Sequence, residues 1–135
     1  HGQDIADVTI SFHVVLNKLI MQVATLRACL QQLQNLEDLQ LSFCHLKHSR
    51  WQCLLHSICF NRLDLFYSNA PHDVISQFFW SHPRIAFLHI EQCVKARRPC
   101  PLDGGQLPKL CEVSALVGCV TSLVKNNPVS CVTAH

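Results

Sequence analysis

The chain has 135 residues, of which 49% are apolar and only 15% charged, and its formal net charge is +2. That length favours one compact unit over two, and the composition is far from that of a disordered segment. So small and mixed a charge leaves no electrostatic footprint for nucleic acid. The nearest thing to a basic cluster, Lys95, Arg97, Arg98 and Lys109, reads as a solvated loop.

The apolar stretches Val14–Ile20 and Val113–Val124 are broken by Asn17, Lys18, Ser114, Gly118 and Thr121. Neither reaches the roughly 20 residues a membrane span requires. No secretory signal opens the chain, and a start at His1 in place of Met reads as a fragment of a longer protein. Nine cysteines, at positions 29, 44, 53, 59, 93, 100, 111, 119 and 131, contain no Cys-x-x-Cys pair. Without an export signal they read as small buried apolar residues in a reduced, intracellular protein, cytoplasmic or nuclear.

In chain order, Ile5-x-x-Val8-x-Ile10 has a strand signature. A long helix is expected over His13–Leu33, with Val15, Leu19, Val23, Leu26, Leu30 and Leu33 along one stripe. The next segment, Leu36-x-x-Leu39-x-Leu41-x-x-Cys44-x-Leu46, matches the leucine-rich-repeat consensus, with Cys in its Asn/Cys position. A helix over His48–Ile58 follows, burying Trp51, Leu54, Leu55 and Ile58. A looser copy of the repeat, Phe60-x-x-Leu63-x-Leu65-x-x-Ser68-Asn69, leads into a helix over His72–Trp80. That helix lies between Pro71 and Pro83, with Val74, Ile75, Phe78 and Phe79 inward. Trp51 and Trp80 both read as core. Ile85-x-x-Leu88-x-Ile90-x-x-Cys93 is the third copy, and Pro99, Pro101, Gly104, Gly105 and Pro108 mark the loop after it. Leu110-x-x-Val113 and Val129-x-x-Val132 are weaker copies.

The markers Leu39, Leu63 and Leu88 stand 24 and 25 residues apart, a leucine-rich-repeat period. The expected fold is therefore α/β: a single solenoid domain over residues 1–135, of about four to six irregular repeats, with a parallel sheet on the concave face and helices on the convex face. Alternation along the strands turns Leu39 and Leu41, Leu63 and Leu65, and Leu88 and Ile90 inward. The rows left facing outward are Asp7, Thr9 and Ser11; Asp38, Gln40 and Ser42; Arg62, Asp64 and Phe66; and Phe87, His89 and Glu91. These rows, mixed in charge with two aromatics, are the expected surface for a protein partner, without nucleic acid or membrane.

The Leu36–Leu46 segment and the ending Leu107-Pro108-Lys109-Leu110, Leu123-Val124 and Pro128-Val129-Ser130-x-Val132 resemble the C-terminal repeat region of fungal F-box and leucine-rich-repeat-like proteins, especially those of mushroom-forming fungi. Where that family often has a glycine-proline stretch, this chain has Val113-Ser114-Ala115-Leu116. The resemblance implies the substrate-binding repeats of a ubiquitin ligase adaptor. The F-box that would grip the ligase core is not present in these residues.

Cys44, His45, His48, Cys53, His56 and Cys59 form the densest Cys/His group, but Cys53, His56 and Cys59 step by three and precess around a helix, which converges poorly on zinc. Cys93 with His89 is the nearest thiol–base pair, and Cys93 occupies a buried turn position of the repeat. His82, Asp73 and Ser81 lack a nucleophile elbow, and Gly104-Gly105 lacks the Lys-Ser or Lys-Thr of a phosphate loop. The expectation is a binding module with no catalytic residue, cofactor or metal. A zinc-stabilised Cys/His structural domain and a non-functional partial repeat protein are the alternatives.

Overall fold

The computed structural model describes residues 9–15, 20–44, 46–91, 100–125 and 127–134. Among them six strands lie side by side in chain order in one parallel sheet: β1 (Thr9–Val15), β2 (Asp38–Cys44), β3 (Leu65–Ser68), β4 (Phe87–Ile90), β5 (Glu112–Ala115) and β6 (Cys131–Ala134). A parallel neighbour cannot be reached through a tight hairpin, so each strand is followed by a crossover. Four of the crossovers carry helices α1 (Ile20–Gln31), α2 (His48–Leu55), α3 (His72–Trp80) and α4 (Val117–Val124). The one between β4 and β5 carries a 3-10 turn, Gly104–Gln106. The fold class is α/β, as the repeat pattern predicts. Among the described residues no helix is long and apolar enough to cross a membrane.

The unit that repeats is a turn feeding a short strand. The amides of Leu36, Leu63, Ile85 and Leu110 donate to the carbonyls three residues back, on Leu33, Phe60, His82 and Leu107, at 3.0–3.3 Å. All four donor residues are buried. Three residues further on stand Leu39, Phe66, Leu88 and Val113, and two beyond those Leu41, Ser68, Ile90 and Ala115, again all buried. Ahead of each strand one carbonyl accepts two amides of the next unit. Glu37 receives Asp64 and Leu65, Asp64 receives Ala86 and Phe87, Ala86 receives Cys111 and Glu112, and Cys111 receives Ser130 and Cys131, at 2.8–3.3 Å.

The helices cover the face onto which these side chains point. Phe66 stacks on Phe78 of α3 with ring centroids 4.7 Å apart, and Phe43 meets Trp51 of α2 edge-on at 5.1 Å. The predicted inner faces of α2 (Trp51, Leu54, Leu55) and α3 (Val74, Ile75, Phe78, Phe79) are buried as expected. Val23 and Leu30 of α1 are buried, with Leu26 and, just past the helix, Leu33 half-buried against the core. Asn69, just past β3, prolongs the pairing with β2: its side-chain oxygen accepts from the Phe43 amide and its Nδ2 donates to the Phe43 carbonyl.

Four sequence expectations are corrected. The long helix does not start at His13, because residues 13–15 belong to β1, which pairs with β2 over seven positions from Thr9↔Asp38 to Val15↔Cys44. Ile5 and Val8 of the expected first strand lie outside the described residues. The helix expected over His48–Ile58 stops at Leu55, where the backbone of His56 turns extended. The inward pair of β3 is Phe66 and Ser68, not Leu63 and Leu65. A strand alternates strictly, so one residue of slip turns every side chain to the other face. Here the larger Phe66 takes the core, Leu63 falls in the entry turn beside Leu36, and Leu65 turns outward. Finally Trp80, the last residue of α3, is 70% exposed. It is two steps around the helix from Phe78 and points away from the core.

The register therefore runs through Ile10, Leu39, Phe66, Leu88, Val113 and Val132, with steps of 29, 27, 22, 25 and 19 residues in place of a near-constant 24 or 25. We expect Phe66→Ala to cost about 3–5 kcal/mol in chemical denaturation, as for a large core aromatic, and Leu65→Ala far less. The reverse order would restore the phase read from the sequence.

His82 fills the turn position that Phe60 and Leu107 fill in the neighbouring units, and it is 2% exposed. Its Nε2 accepts from the Phe60 amide at 2.9 Å and its Nδ1 faces the Phe78 carbonyl at 2.7 Å, so the neutral ring with a proton on Nδ1 satisfies both groups. Burial pushes the imidazole below its ordinary 6.5, and the Phe78 hydrogen bond opposes only part of that. Because the unfolded chain takes up the proton first, this contribution to stability is complete above 6.5 and fades as pH falls from 6.5 toward the lowered folded value. Buried His72 is pushed down likewise, against the opposing Asp73 carboxylate. His82→Leu should cost about 1–3 kcal/mol by stranding the Phe60 amide. It should also lessen the loss of stability between about pH 7.5 and about pH 5.5, as read by denaturant midpoints.

Candidate functional site

The face of the sheet opposite the helices carries every second strand residue. Register aligns Thr9, Asp38, Leu65, Phe87, Glu112 and Cys131 in one row, and Ser11, Gln40, Tyr67, His89, Ser114 and Thr133 in the next. Of the residues expected on this face, Asp38, Gln40, Ser42, Phe87 and His89 are half-buried strand residues, and Glu91 is exposed just past β4. Phe66 is not on it: the ring is fully buried on the helix side. Arg62 and Asp64 are exposed but precede β3, and with Glu37, Arg84 and Lys109 they line a charged groove of about 490 Å³ where the turns enter the strands. Asp7 lies outside the described residues.

The phase of β3 brings to this face a residue that the sequence reading missed. Tyr67 stacks on His89 with centroids 4.3 Å apart and planes 17° from parallel. Its hydroxyl donates to Glu91 Oε1, and the same oxygen stands 3.6 Å from His89 Nε2. One carboxylate thus bonds the Tyr67 hydroxyl and lies near the His89 ring, although Tyr67 and Glu91 are on neighbouring units. The Glu91 hydrogen bond, with burial and the carboxylate charge adding to it, pushes the Tyr67 phenol up to about 12. A phenol so held stays neutral and keeps its proton on the hydrogen bond to Glu91. The arrangement suits binding: two flat rings fixed in advance, with Leu65 and Phe87 beside them.

A shallow groove of about 290 Å³ runs over this cluster, lined by Gln40, Leu65, Tyr67, Phe87, His89, Ser114 and Thr133 among others. A larger cleft, about 710 Å³, opens on the helix side between α2 and α3. Its cation, Arg27, already donates to the carbonyls of Cys53 and Leu54 at the end of α2, at 2.8 and 3.3 Å. Aromatic, carboxylate and imidazole groups converge on the smaller groove.

The Cys/His group considered from sequence does not assemble around one point in the described residues. His48 pairs with Asp73 across α2 and α3 at 2.5 Å, and Cys53, His56 and Cys59 are exposed. His45 lies outside the described residues, as does Cys93 of the considered thiol–base pair. A different group comes together inside the helix layer. His72 opens α3, Cys100 precedes the 3-10 turn, and Cys119 is in α4. His72 Nδ1 stands 3.4 Å from Cys100 Sγ and 3.5 Å from Cys119 Sγ, and the three donor atoms lie within 4.8 Å of one another.

The surroundings hold this group firmly. Asp103 and Gln106 cap the 3-10 turn reciprocally, and Gln106 Nε2 reaches Ser76 of α3, donating to its carbonyl at 2.9 Å. Asn127 Nδ2 donates to the carbonyls of Gly104 and Leu123, both at 2.8 Å. A Cβ at position 104 would stand 2.3 Å from the Leu123 oxygen, so only glycine allows this approach. With 28 residues from His72 to Cys100 and 47 to Cys119, no local spacing announces the cluster.

Comparison of the chain with protein-family models, with curated proteins and with solved structures finds no match.

Tyr67 is the only tyrosine of the chain, so its ionisation can be followed directly by ultraviolet absorbance. In the folded protein we expect its midpoint near 12, and Glu91→Gln should bring it down toward 10. A midpoint near 10 in the folded wild-type protein would remove the Tyr67–Glu91 bond from the account.

Proposed function

We propose that this chain is a protein-recognition module: a leucine-rich-repeat-like solenoid that presents the outer face of its parallel sheet to a protein partner. The observation that carries the reading is the stack of Tyr67 on His89, locked by Glu91, in an open row beside Phe87 and Leu65. Rigid aromatics lose little conformational entropy on contact and are enriched among interface hot spots. The outer strand positions and their immediate ends carry Asp38, Glu91 and Glu112 but neither Lys nor Arg among the described residues, a poor surface for phosphates. It fits a partner segment with basic and apolar side chains.

The resemblance to fungal F-box and leucine-rich-repeat-like proteins extends the proposal. In that setting the chain is the substrate-recognition region of a ubiquitin ligase adaptor, working in the cytoplasm or nucleus, and the partner is a protein to be ubiquitylated. No catalytic step falls to these residues. The parallel sheet supports this division of labour, since its helix-covered face is buried and its other face leaves a row of strand residues open.

The test compares tagged wild-type protein with Tyr67→Ser/His89→Ser and with Trp80→Ser on the helix side, by quantitative affinity mass spectrometry in cells of the source organism. We expect a defined partner set to fall at least about tenfold with the outer-face variant and to persist with the Trp80 variant. The linker subunit of a cullin-type ligase should co-purify with the full-length product. Equal loss with both variants, or no loss with either, would overturn recognition through this face. Retention of the partner set without the linker subunit would remove the adaptor role alone.

A further inference from the structure

We infer that His72, Cys100 and Cys119 form a zinc site that clamps three consecutive segments of the helix layer. The inference is independent of the recognition proposal, because these residues lie on the helix side. It starts from the geometry of one nitrogen. His72 Nδ1 faces two cysteine sulfurs at nearly equal distances, 3.4 and 3.5 Å. An imidazole nitrogen has one lone pair or one proton, so it makes one well-aligned hydrogen bond and not two. Nδ1 thus faces both sulfurs in a place where water is excluded: His72 is 6% exposed and Cys119 1%.

A cation between the three donors accounts for the spacing. With Zn–N of about 2.0–2.1 Å and Zn–S of about 2.3 Å, the N···S edge of a tetrahedron is about 3.5 Å. The observed separations have that length. The donor set of one imidazole and two thiols is borderline-soft and suits zinc, while the hard oxygen donors preferred by magnesium or calcium are absent from it. As the two Zn–S bonds form, each thiol releases its proton to solvent, so binding strengthens as pH rises. Three protein ligands leave one tetrahedral position for a further donor, and the half-exposed Cys100 is the ligand nearest solvent.

The position of the site explains what it would do. His72 begins α3, Cys100 belongs to the segment leading to the 3-10 turn, and Cys119 sits in α4. The crossover between β4 and β5 is the one with no α-helix among its described residues. A metal bridging α3 and α4 across it supplies the cross-link that a helix supplies elsewhere by packing.

The test uses the whole chain, purified reduced, stripped with a chelator, and titrated with Zn²⁺ alone in competition with a chromogenic chelator; Co²⁺ then replaces zinc as a spectroscopic probe. We expect one equivalent bound, a thiolate-to-cobalt charge-transfer band, and tetrahedral ligand-field absorption. Cys100→Ser, at a half-exposed position that tolerates the change, should weaken binding by more than the roughly 10–100-fold that loss of a second-shell partner costs. Cys53→Ser, an exposed thiol elsewhere, should leave it unchanged. Absence of both zinc uptake and the cobalt band in folded wild-type protein would overturn the site. So would equal affinity in wild type and Cys100→Ser, or recovery of a Cys100–Cys119 disulfide with no metal from reducing buffer.

Discussion

Everything in this fold hangs on a carbonyl that serves two amides of the following unit. Glu37, Asp64, Ala86 and Cys111 each do this immediately before or at the start of their own strands, and each does it for the unit that comes next. Backbone groups so placed must be paired once they are buried, and no unit pairs them alone. The same positions set the strand register, and the register decides which side chains meet the helices. The crossovers need only return the chain to the next carbonyl. That is why units of 29, 27, 22, 25 and 19 residues share one sheet. Loop-closure entropy changes slowly with length, so such unevenness costs little.

The same constraint explains what could be read from the sequence. The entry turn and strand pattern was plain where leucine or isoleucine filled it, at Leu36–Leu41 and Ile85–Ile90, and helices α2 and α3 were plain because their apolar residues recur on one side. The phase of β3 was not. Leu63 and Leu65 imitate the Leu-x-Leu of a strand, whereas Phe66 and Ser68 occupy it, and only contact with Phe78 and the Glu37 carbonyl chooses between them. With the phase went Tyr67, and with Tyr67 the centre of the outer-face cluster. Placing Leu63 against Leu36 rather than Leu39 would have found it. His82 was hidden for another reason: a polar residue holds an apolar place in the repeat because its ring answers the Phe60 amide. His72, Cys100 and Cys119 share no local pattern at all, since tertiary packing alone joins them.

The two layers divide the chemistry between them. On the helix side, His72, His82 and Cys119 are enclosed, and His82 joins the Phe60 amide to the Phe78 carbonyl through hydrogen bonds, while Cys53, His56 and Cys59 are exposed. On the sheet side, Tyr67, His89 and Glu91 are held in place yet remain accessible. Holding them draws on adjacent units, because Tyr67 belongs to β3 and Glu91 follows β4. A surface assembled in this way is only as well ordered as the stacking beneath it. Exposed ion pairs such as His48–Asp73 add little to that order, being solvated on both sides.

The most direct measurement of the account is residue-resolved amide hydrogen exchange under native conditions. Amides that share a carbonyl, Asp64 with Leu65, Ala86 with Phe87, and Cys111 with Glu112, should exchange slowly and with the same opening free energy within each pair. Protection should fall from the interior pairs toward Ser130 and Cys131 at the end of the described chain. Rapid exchange at the interior pairs while α2 and α3 stay protected would contradict it, because the helices would then persist without the ladder that positions them.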